Sequence, residues 1–289
     1  MQVPHKSLKN GFSMPIFGIG TWSMGGGTRR NFLNDDTADI AAIRAAVDIG
    51  IGCIDTAELY ASGHAEKLVG EAIASFERSK LFVISKAFVN HLGRDDLIEA
   101  CKKSLSRVGT DYFNLYLLHG FSAEIPLSET MRGMDELRAE GLIRNLGVAN
   151  FGVERLKEAQ SHTKHPIVYN QVHYNLQFRE PERKGLLEYC QQNDVLLAAW
   201  RPVQKGALLE DVPSIVGEMC EKYEKTPAQI ALNWLLSQKN VVTLAKSSNI
   251  EHLRENAGAI GWDMEQEDVE RLRSGYPDQK DTSDSVPLA

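Results

Sequence analysis

The sequence lacks several features that would have narrowed its role at once. No Lys/Arg-rich tract interrupts 289 residues whose formal net charge is −7, which argues against nucleic acid and anionic membrane surfaces as partners. No apolar run approaches the roughly 20 residues needed to span a bilayer. The opening MQVPHKSLKN has no apolar core of the signal-peptide kind. Cysteine is scarce and scattered, at Cys53, Cys101, Cys190 and Cys220, without a C-x-x-C pair. That usage fits reduced thiols in a cytoplasmic protein, not a disulfide frame or a zinc site; Cys53 reads as a core residue of its strand. Complete nucleotide and nucleophile motifs are missing too. GIGTWS (18–23) begins like a GxGxxG fingerprint but places Ser23 at the last position, and the loop beyond it is too long for a helix to start at a phosphate. There is no G-K-[ST] P-loop, and GVANF is not a G-x-S-x-G elbow. His5, His64, His91, His162, His165, His173 and His252 show no metal-ligand spacing. They read mainly as surface or loop residues, and no metal is expected.

Globular character is plain: 43% of residues are hydrophobic and 25% charged. Short apolar runs alternate with helical patterns from end to end. After a hairpin expected around Asn10-Gly11, strands are predicted at 16–20, 51–55, 81–85, 113–119, 143–149, 166–172, 195–200 and 241–245. They lack polar alternation, as parallel strands covered on both faces should. Each is followed by a helical pattern. In DDTADIAAIRAAVDIG, Ile40, Ile43 and Val47 share a face and Gly50 closes the helix. Eight such units predict one (β/α)8 barrel domain over 1–289, with an N-terminal β-hairpin and an extra C-terminal helix at 265–275. The open dinucleotide-binding sheet is the structural alternative. The tail QKDTSDSVPLA is expected to be flexible. The long segment SMGGGTRRNFLND after the first strand reads as a tolerated surface insertion, with mobility near the top face as the other reading.

Residues at the C-terminal ends of barrel strands converge on one face. Those ends hold Asp55, Lys86 and His119, with Tyr60 in the loop after Asp55. A tyrosine, whose ordinary pKa is about 10, becomes a useful proton donor when a cation stabilises its phenolate. Lys86 is the candidate cation, and Asp55 its buried partner. His119 would orient a substrate oxygen towards Tyr60, completing a general-acid site for a carbonyl. Each residue has a plainer reading: Asp55 as a turn cap, Tyr60 as a loop anchor, Lys86 as a solvated strand end, His119 as a core histidine. The joint placement at successive strand ends favours the site.

These residues carry a resemblance. IDTAELY with GHAEKLVGEAI behind it, VISK, LYLLH, GIGTW, GVANF, YNQVHYN and TPAQIALNWL resemble the segments of the aldo-keto reductases, in order and over essentially the whole chain. The resemblance implies a nicotinamide-dependent carbonyl reductase on a TIM barrel, with Asp55, Tyr60, Lys86 and His119 in the catalytic positions. It further implies that Gly20 and Thr21 meet the cofactor and that Trp22 walls the substrate pocket beside Tyr60 and His119. Asn150 and Gln171 match the residues at the nicotinamide carboxamide, with Ala149 where a serine is usual. Trp200 sits where the family places an aromatic ring, commonly tyrosine, against the nicotinamide, followed by Arg201 and Val203. Lys246, Ser247, Ser248 and Asn249 resemble the stretch around the adenosine 2′-phosphate, an anion site at a helix start; a normally capped helix is the alternative there. Glu255 and Asn256 match positions at the adenine. Many family members have arginine where this chain has His252, and a histidine is only partly charged near neutral pH. The expected cofactor is therefore NADP(H), with NAD(H) a weaker second, and a preference that weakens as pH rises. An aldehyde or ketone is the expected small-molecule substrate and a monomer the default state. The alternative function is a non-catalytic, cofactor-binding regulatory or structural relative on the same fold; another barrel enzyme, an isomerase or metal-dependent hydrolase, finds no ligand cluster to support it.

Overall fold

The computed structural model describes residues 2–289, which contain ten β-strands and eleven α-helices. The chain opens with an antiparallel hairpin, β1 (His5–Ser7) on β2 (Ser13–Pro15), turned at Asn10 and Gly11 as expected; Gly11 takes a φ of +90°, which glycine adopts freely. Eight parallel strands follow: β3 (Phe17–Gly20), β4 (Cys53–Asp55), β5 (Phe82–Ala87), β6 (Leu115–Leu118), β7 (Leu146–Ala149), β8 (Ile167–His173), β9 (Leu196–Trp200) and β10 (Val241–Ala245). They pair in chain order, and β10 returns to β3 with Leu244 opposite Gly18, closing a barrel. This is the predicted (β/α)8 architecture.

The hairpin has a structural task. Leu8, Phe12 and Met14 pack with Cys53, Ile84, Leu115, Leu117, Val168 and Leu196 in one buried cluster, so the hairpin closes one mouth of the barrel. Each such side chain contributes about 1.5–3 kcal/mol on burial. Lys6 pins it further, donating to the carbonyls of Leu236, Gln238 and Val241 at 2.6–2.7 Å.

The outer layer comprises α1 (Asp36–Asp48), α2 (His64–Ile73), α3 (Arg94–Val108), α4 (Leu127–Ala139), α5 (Val153–Ser161), α6 (Glu180–Arg183), α7 (Leu186–Gln192), α8 (Ser214–Tyr223), α9 (Pro227–Leu236), α10 (Ile250–Ala257) and α11 (Gln266–Gly275). Local chemistry marks their ends. Asp35 caps α1 by accepting from the Ala38 amide, and Thr226 and Gln229 form a capping box ahead of Pro227 on α9. Gly109 ends α3 in the left-handed conformation. Three features depart from expectation. The helical pattern expected after the strand at 166–172 is broken in two at Gly185, whose φ is +70°. The helix α8 was not predicted. The tail expected to be flexible is docked: Arg179 N donates to Lys280 O at 2.8 Å, and Ala289 N to Asn150 O at 2.9 Å.

Candidate active site

Three neighbouring strands build the centre of the site. Asp55 is the last residue of β4 and Lys86 lies near the end of β5. His119 directly follows β6, its amide bonded to Ala87 O at 2.9 Å. Lys86 is fully buried. Its Nζ donates to Asp55 Oδ2 at 2.7 Å, to Thr56 O at 2.8 Å and to Tyr60 Oη at 3.1 Å. Three acceptors match the three N–H groups of an ammonium. Because Lys86 donates to the Tyr60 oxygen, the tyrosine's own hydrogen points elsewhere. Tyr60 is walled edge-on by the rings of Trp22, at 5.1 Å, and His119, at 5.6 Å; Phe88 meets His119 edge-on at 6.4 Å. Trp22 keeps 38% of its surface exposed and so rims the opening.

Electrostatics divide the roles. Burial pushes the Tyr60 hydroxyl above its ordinary range; the Lys86 ammonium pulls against that and Asp55 adds to it. The expected downward tuning by Lys86 is thus present but outweighed by desolvation, and the phenol stays loaded with its proton. Burial pulls Lys86 down, but the Asp55 carboxylate and Tyr60 outweigh it and hold the lysine above its usual value. Burial raises Asp55, opposed by Lys86 and by Gln171, whose Nε2 lies 3.4 Å from Asp55 Oδ1. Burial and the nearby Lys86 drop His119 to about 3. His119 is therefore a neutral hydrogen-bonding group at physiological pH and not an acid. Its buried Nδ1 has no partner among the described residues.

The residues assigned to a cofactor by resemblance fall in two groups. Gly20, Thr21, Asn150, Gln171 and Trp200 lie at strand ends around the same mouth. Thr21 bonds Asp55 O through both its amide, at 2.9 Å, and its hydroxyl, at 3.1 Å. A side chain at Gly20 would meet nothing within 4 Å, so open space lies above β3. Asn150 adopts a φ of +63°; its Nδ2 donates to His119 O at 3.3 Å and its Oδ1 accepts from Trp200 Nε1 at 3.2 Å. Arg201 turns to the tail, pairing with Asp284 at 3.2 Å, and Val203 is half-buried.

The second group surrounds the start of α10. Asn249 caps that helix through the Glu251 amide at 2.8 Å, as the plainer reading held. Buried Ser247 bonds both backbone groups of Asn249. Ser248 donates to Asp39 Oδ1 at 3.1 Å. Lys246, His252 and Arg254 are exposed, leaving a basic edge with no carboxylate paired to it among the described residues. Glu255 is half-buried and Asn256 buried. Open space above Gly20 and exposed cations beside α10 fit a dinucleotide bearing an extra phosphate.

His173, read from sequence as a surface or loop residue, is a correction. It is buried at the end of β8, and its ring stacks between Trp200 and Phe178 with centroids 4.4 Å away on each side. Nδ1 bonds Ser283 Oγ at 2.8 Å and Nε2 bonds Gln204 Oε1 at 2.9 Å. Burial lowers it to about 4, so it backs Trp200 as a neutral ring. The available signal was its parity with Gln171 on β8, which places both on one face.

Comparison with known proteins agrees with this geometry. The model of the Aldo/keto reductase family matches residues 17–276. The methylglyoxal reductase YeaE of Escherichia coli is 35% identical over 272 residues, covering 93% of each chain. The crystal structure of a thermostable aldo-keto reductase, Tm1743, in complex with the inhibitor epalrestat is similar with a TM-score of 0.91 and 41% identity, over 94% of this chain and 99% of that one. An aldo-keto reductase from Klebsiella pneumoniae in complex with NADPH superimposes with a TM-score of 0.86 at 34% identity, over 98% of each chain.

Proposed function

The chain belongs to the aldo/keto reductase family and is an NADPH-dependent reductase of carbonyl compounds; from that premise we propose that it reduces small aldehydes of the methylglyoxal kind with Tyr60 as the proton donor. One observation carries the assignment. Lys86 donates to the Tyr60 oxygen from inside the barrel, which leaves the phenolic hydrogen to be given to a substrate oxygen. His119 is the alternative donor, and its depressed pKa of about 3 removes it from proton transfer near neutrality.

When bound, the reduced nicotinamide supplies the hydride to the carbonyl carbon. Tyr60 gives its proton to the carbonyl oxygen, so the product is an alcohol and the residue left behind is a phenolate. Lys86, already 3.1 Å from that oxygen, stabilises the phenolate by Coulomb attraction in a low-dielectric site. Asp55 holds Lys86 in place and charged. His119 donates a hydrogen bond that orients the carbonyl, while Trp22 and Phe88 exclude water. Asn150 and Gln171 would hold the nicotinamide carboxamide, and Trp200 would lie against the ring so that one face points at substrate. Gly20, Thr21, Arg201 and Val203 complete that end. Lys246, Ser247, Ser248, Asn249 and His252 take the 2′-phosphate end, and Glu255 and Asn256 the adenine. The chain acts as one barrel domain, as a monomer and in the cytoplasm; its reduced, largely buried cysteines support the location.

The test is Tyr60→Phe, which keeps the ring packing and removes the proton. With methylglyoxal and NADPH, turnover should fall by about 10² to 10⁴, with NADPH binding by fluorescence titration unchanged. Near-normal turnover would refute the assignment. Absence of turnover in the wild type across aldehydes and ketones would favour a non-catalytic relative.

A further inference from the structure

The segment between β3 and α1, expected to be a tolerated insertion, is bonded to the turn that carries Tyr60. Immediately after Tyr60 the backbone makes three left-handed steps: Ala61 at φ 51°, Ser62 at φ 54° and Gly63 at φ 83°. The first two carry a Cβ, which penalises this region, and such residues persist only where their surroundings over-determine them. The surroundings here are the carbonyls of Gly27 and Thr28. Ala61 N donates to Gly27 O at 2.7 Å and Ser62 N to Thr28 O at 3.0 Å. The Ser62 hydroxyl adds a bond to Thr28 O at 3.1 Å.

The segment supplying those carbonyls is itself shaped and anchored. Gly26 bridges Arg30, and Asn31 N bonds Gly25 O at 2.8 Å. Gly26 has a φ of +136°, and a Cβ there would lie 2.3 Å from Arg29 O, so a side chain must open the loop. Buried Asp39 of α1 holds the base: its Oδ2 accepts from Gly25 N at 2.9 Å and Asn34 Nδ2 at 2.8 Å. Its other oxygen accepts from Ser248.

We propose that residues 25–28, anchored through Asp39, are the positioning element that holds the left-handed turn and so keeps the Tyr60 hydroxyl against Lys86 and beside His119. The proposal rests on the reading of Tyr60 as proton donor. Asp39 and Gly26 touch no reacting group; they act through the turn. Loss of the element lets Ala61 and Ser62 relax to right-handed backbone and withdraws the phenol from Lys86.

Gly26→Ala and Asp39→Ala test this, the second standing in if the first does not fold, with Leu33→Ser as the control on an exposed side chain of the same segment. Three quantities are read: amide hydrogen exchange at residues 61 and 62, kcat and KM with methylglyoxal and NADPH, and the pH profile of alcohol oxidation with NADP⁺. The titratable groups facing the phenol are Lys86 from β5, Asp55 from β4 and His119 after β6. Both variants should lose exchange protection at 61 and 62 and lose kcat by about tenfold or more, and Gly26→Ala, which leaves Asp39 and its bond to Ser248 in place, should keep NADPH affinity within about threefold. Their oxidation profile should move to higher pH, because a phenol withdrawn from the ammonium ionises less readily. A merely structural loop would leave that profile in place. Leu33→Ser should match the wild type throughout. Lost protection with kcat and pH profile at wild-type values would overturn the proposal, as would intact protection in both variants. Tyr60→Phe measured alongside separates the two readings. If it turns over, the site assignment fails; if it is dead while Gly26→Ala keeps its pH profile, only the positioning role fails.

Discussion

Lys86→Met is the perturbation whose size the structure best defines. The substitution keeps most of the stem's volume and deletes an ammonium with no solvent exposure, paired at 2.7 Å with a carboxylate whose side chain is 5% exposed. Removing one partner of such a pair costs about 3–5 kcal/mol, because the other charge stays buried and unpaired. Thr56 O and Tyr60 Oη lose their donor as well. The loss depends on pH, and its sign follows from the orphaned Asp55. Burial already raises that carboxyl, with Lys86 the main opposing influence, so deleting Lys86 raises it further. A carboxyl whose folded pKa exceeds its unfolded value of about 3.9 binds its proton more tightly when folded. Relative to the wild type, whose Asp55 is already raised, the destabilisation is therefore smallest in acid and grows as pH rises above the wild-type folded pKa of Asp55, by up to about 1.4 kcal/mol per pH unit. Urea unfolding followed by tryptophan fluorescence and circular dichroism at pH 5 and pH 8 reads this out. The variant should lose more at pH 8. Adding Asp55→Asn should recover part of the loss at pH 8 and flatten the difference. A cost under about 1 kcal/mol at both values, or an equal cost at both, would refute the picture of a buried ion pair.

His173 and His252 give two further expectations. His173 is held near pKa 4 by burial, so the wild type should lose stability as pH falls from about 6.5 towards 4, by up to about 3 kcal/mol from this residue; His173→Gln should shallow that slope in acid-unfolding curves, and an unchanged slope would remove His173 as its source. His252→Arg should tighten NADPH relative to NADH, since a guanidinium adds a permanent charge and a bidentate fork at the exposed edge of α10; equal effects on both cofactors' Michaelis constants would place His252 away from the phosphate.

Legibility in this chain follows the range of the interaction. The barrel strands were readable because both faces of each are covered: VVTLA at 241–245 is buried throughout and is β10 without adjustment. Asp55, Lys86 and His119 were readable because a polar residue ending an apolar run has few structural explanations, and parallel closure brings such ends together. What was misread depends on distant pairing or on one backbone angle. QKDTSDSVPLA has the composition of a loose tail, yet Ser283 bonds His173 and Asp284 bonds Arg201 and Gln204; no local pattern encodes a partner about eighty residues or more away. The break at Gly185 turns on a single left-handed residue. The helix α8 does carry a local signal, since Ile215, Val216, Met219 and Tyr223 recur at helical spacing. SMGGG has the composition of slack for the same reason as the tail, because its partners, the Asp39 carboxylate and the amide after Tyr60, are distant in sequence.

The location of these misreadings bears on how the site is made. Asp55, Lys86 and His119 sit at the ends of adjacent strands and would be brought near one another by partial pairing alone. The residues behind them would not. Trp200 is backed by His173, which is bonded to Ser283, and Asn150 is bonded through its backbone to residue 289. Tyr60 is framed by residues 25–28, which are tied through Asp39 to Ser248 beyond β10. Each support spans the seam where the last strand meets the first, or joins the tail to the middle of the chain. Contacts of such long sequence separation form late, after the loop entropy of the whole barrel has been overcome. A chain that has paired β4, β5 and β6 without closing β10 on β3 therefore has Lys86 beside Asp55 but lacks the Asp39–Ser248 tie and the Ser283 and Ala289 bonds behind Trp200 and Asn150. The ties behind Tyr60, Trp200 and Asn150 are therefore complete only once the barrel is closed and the tail is docked.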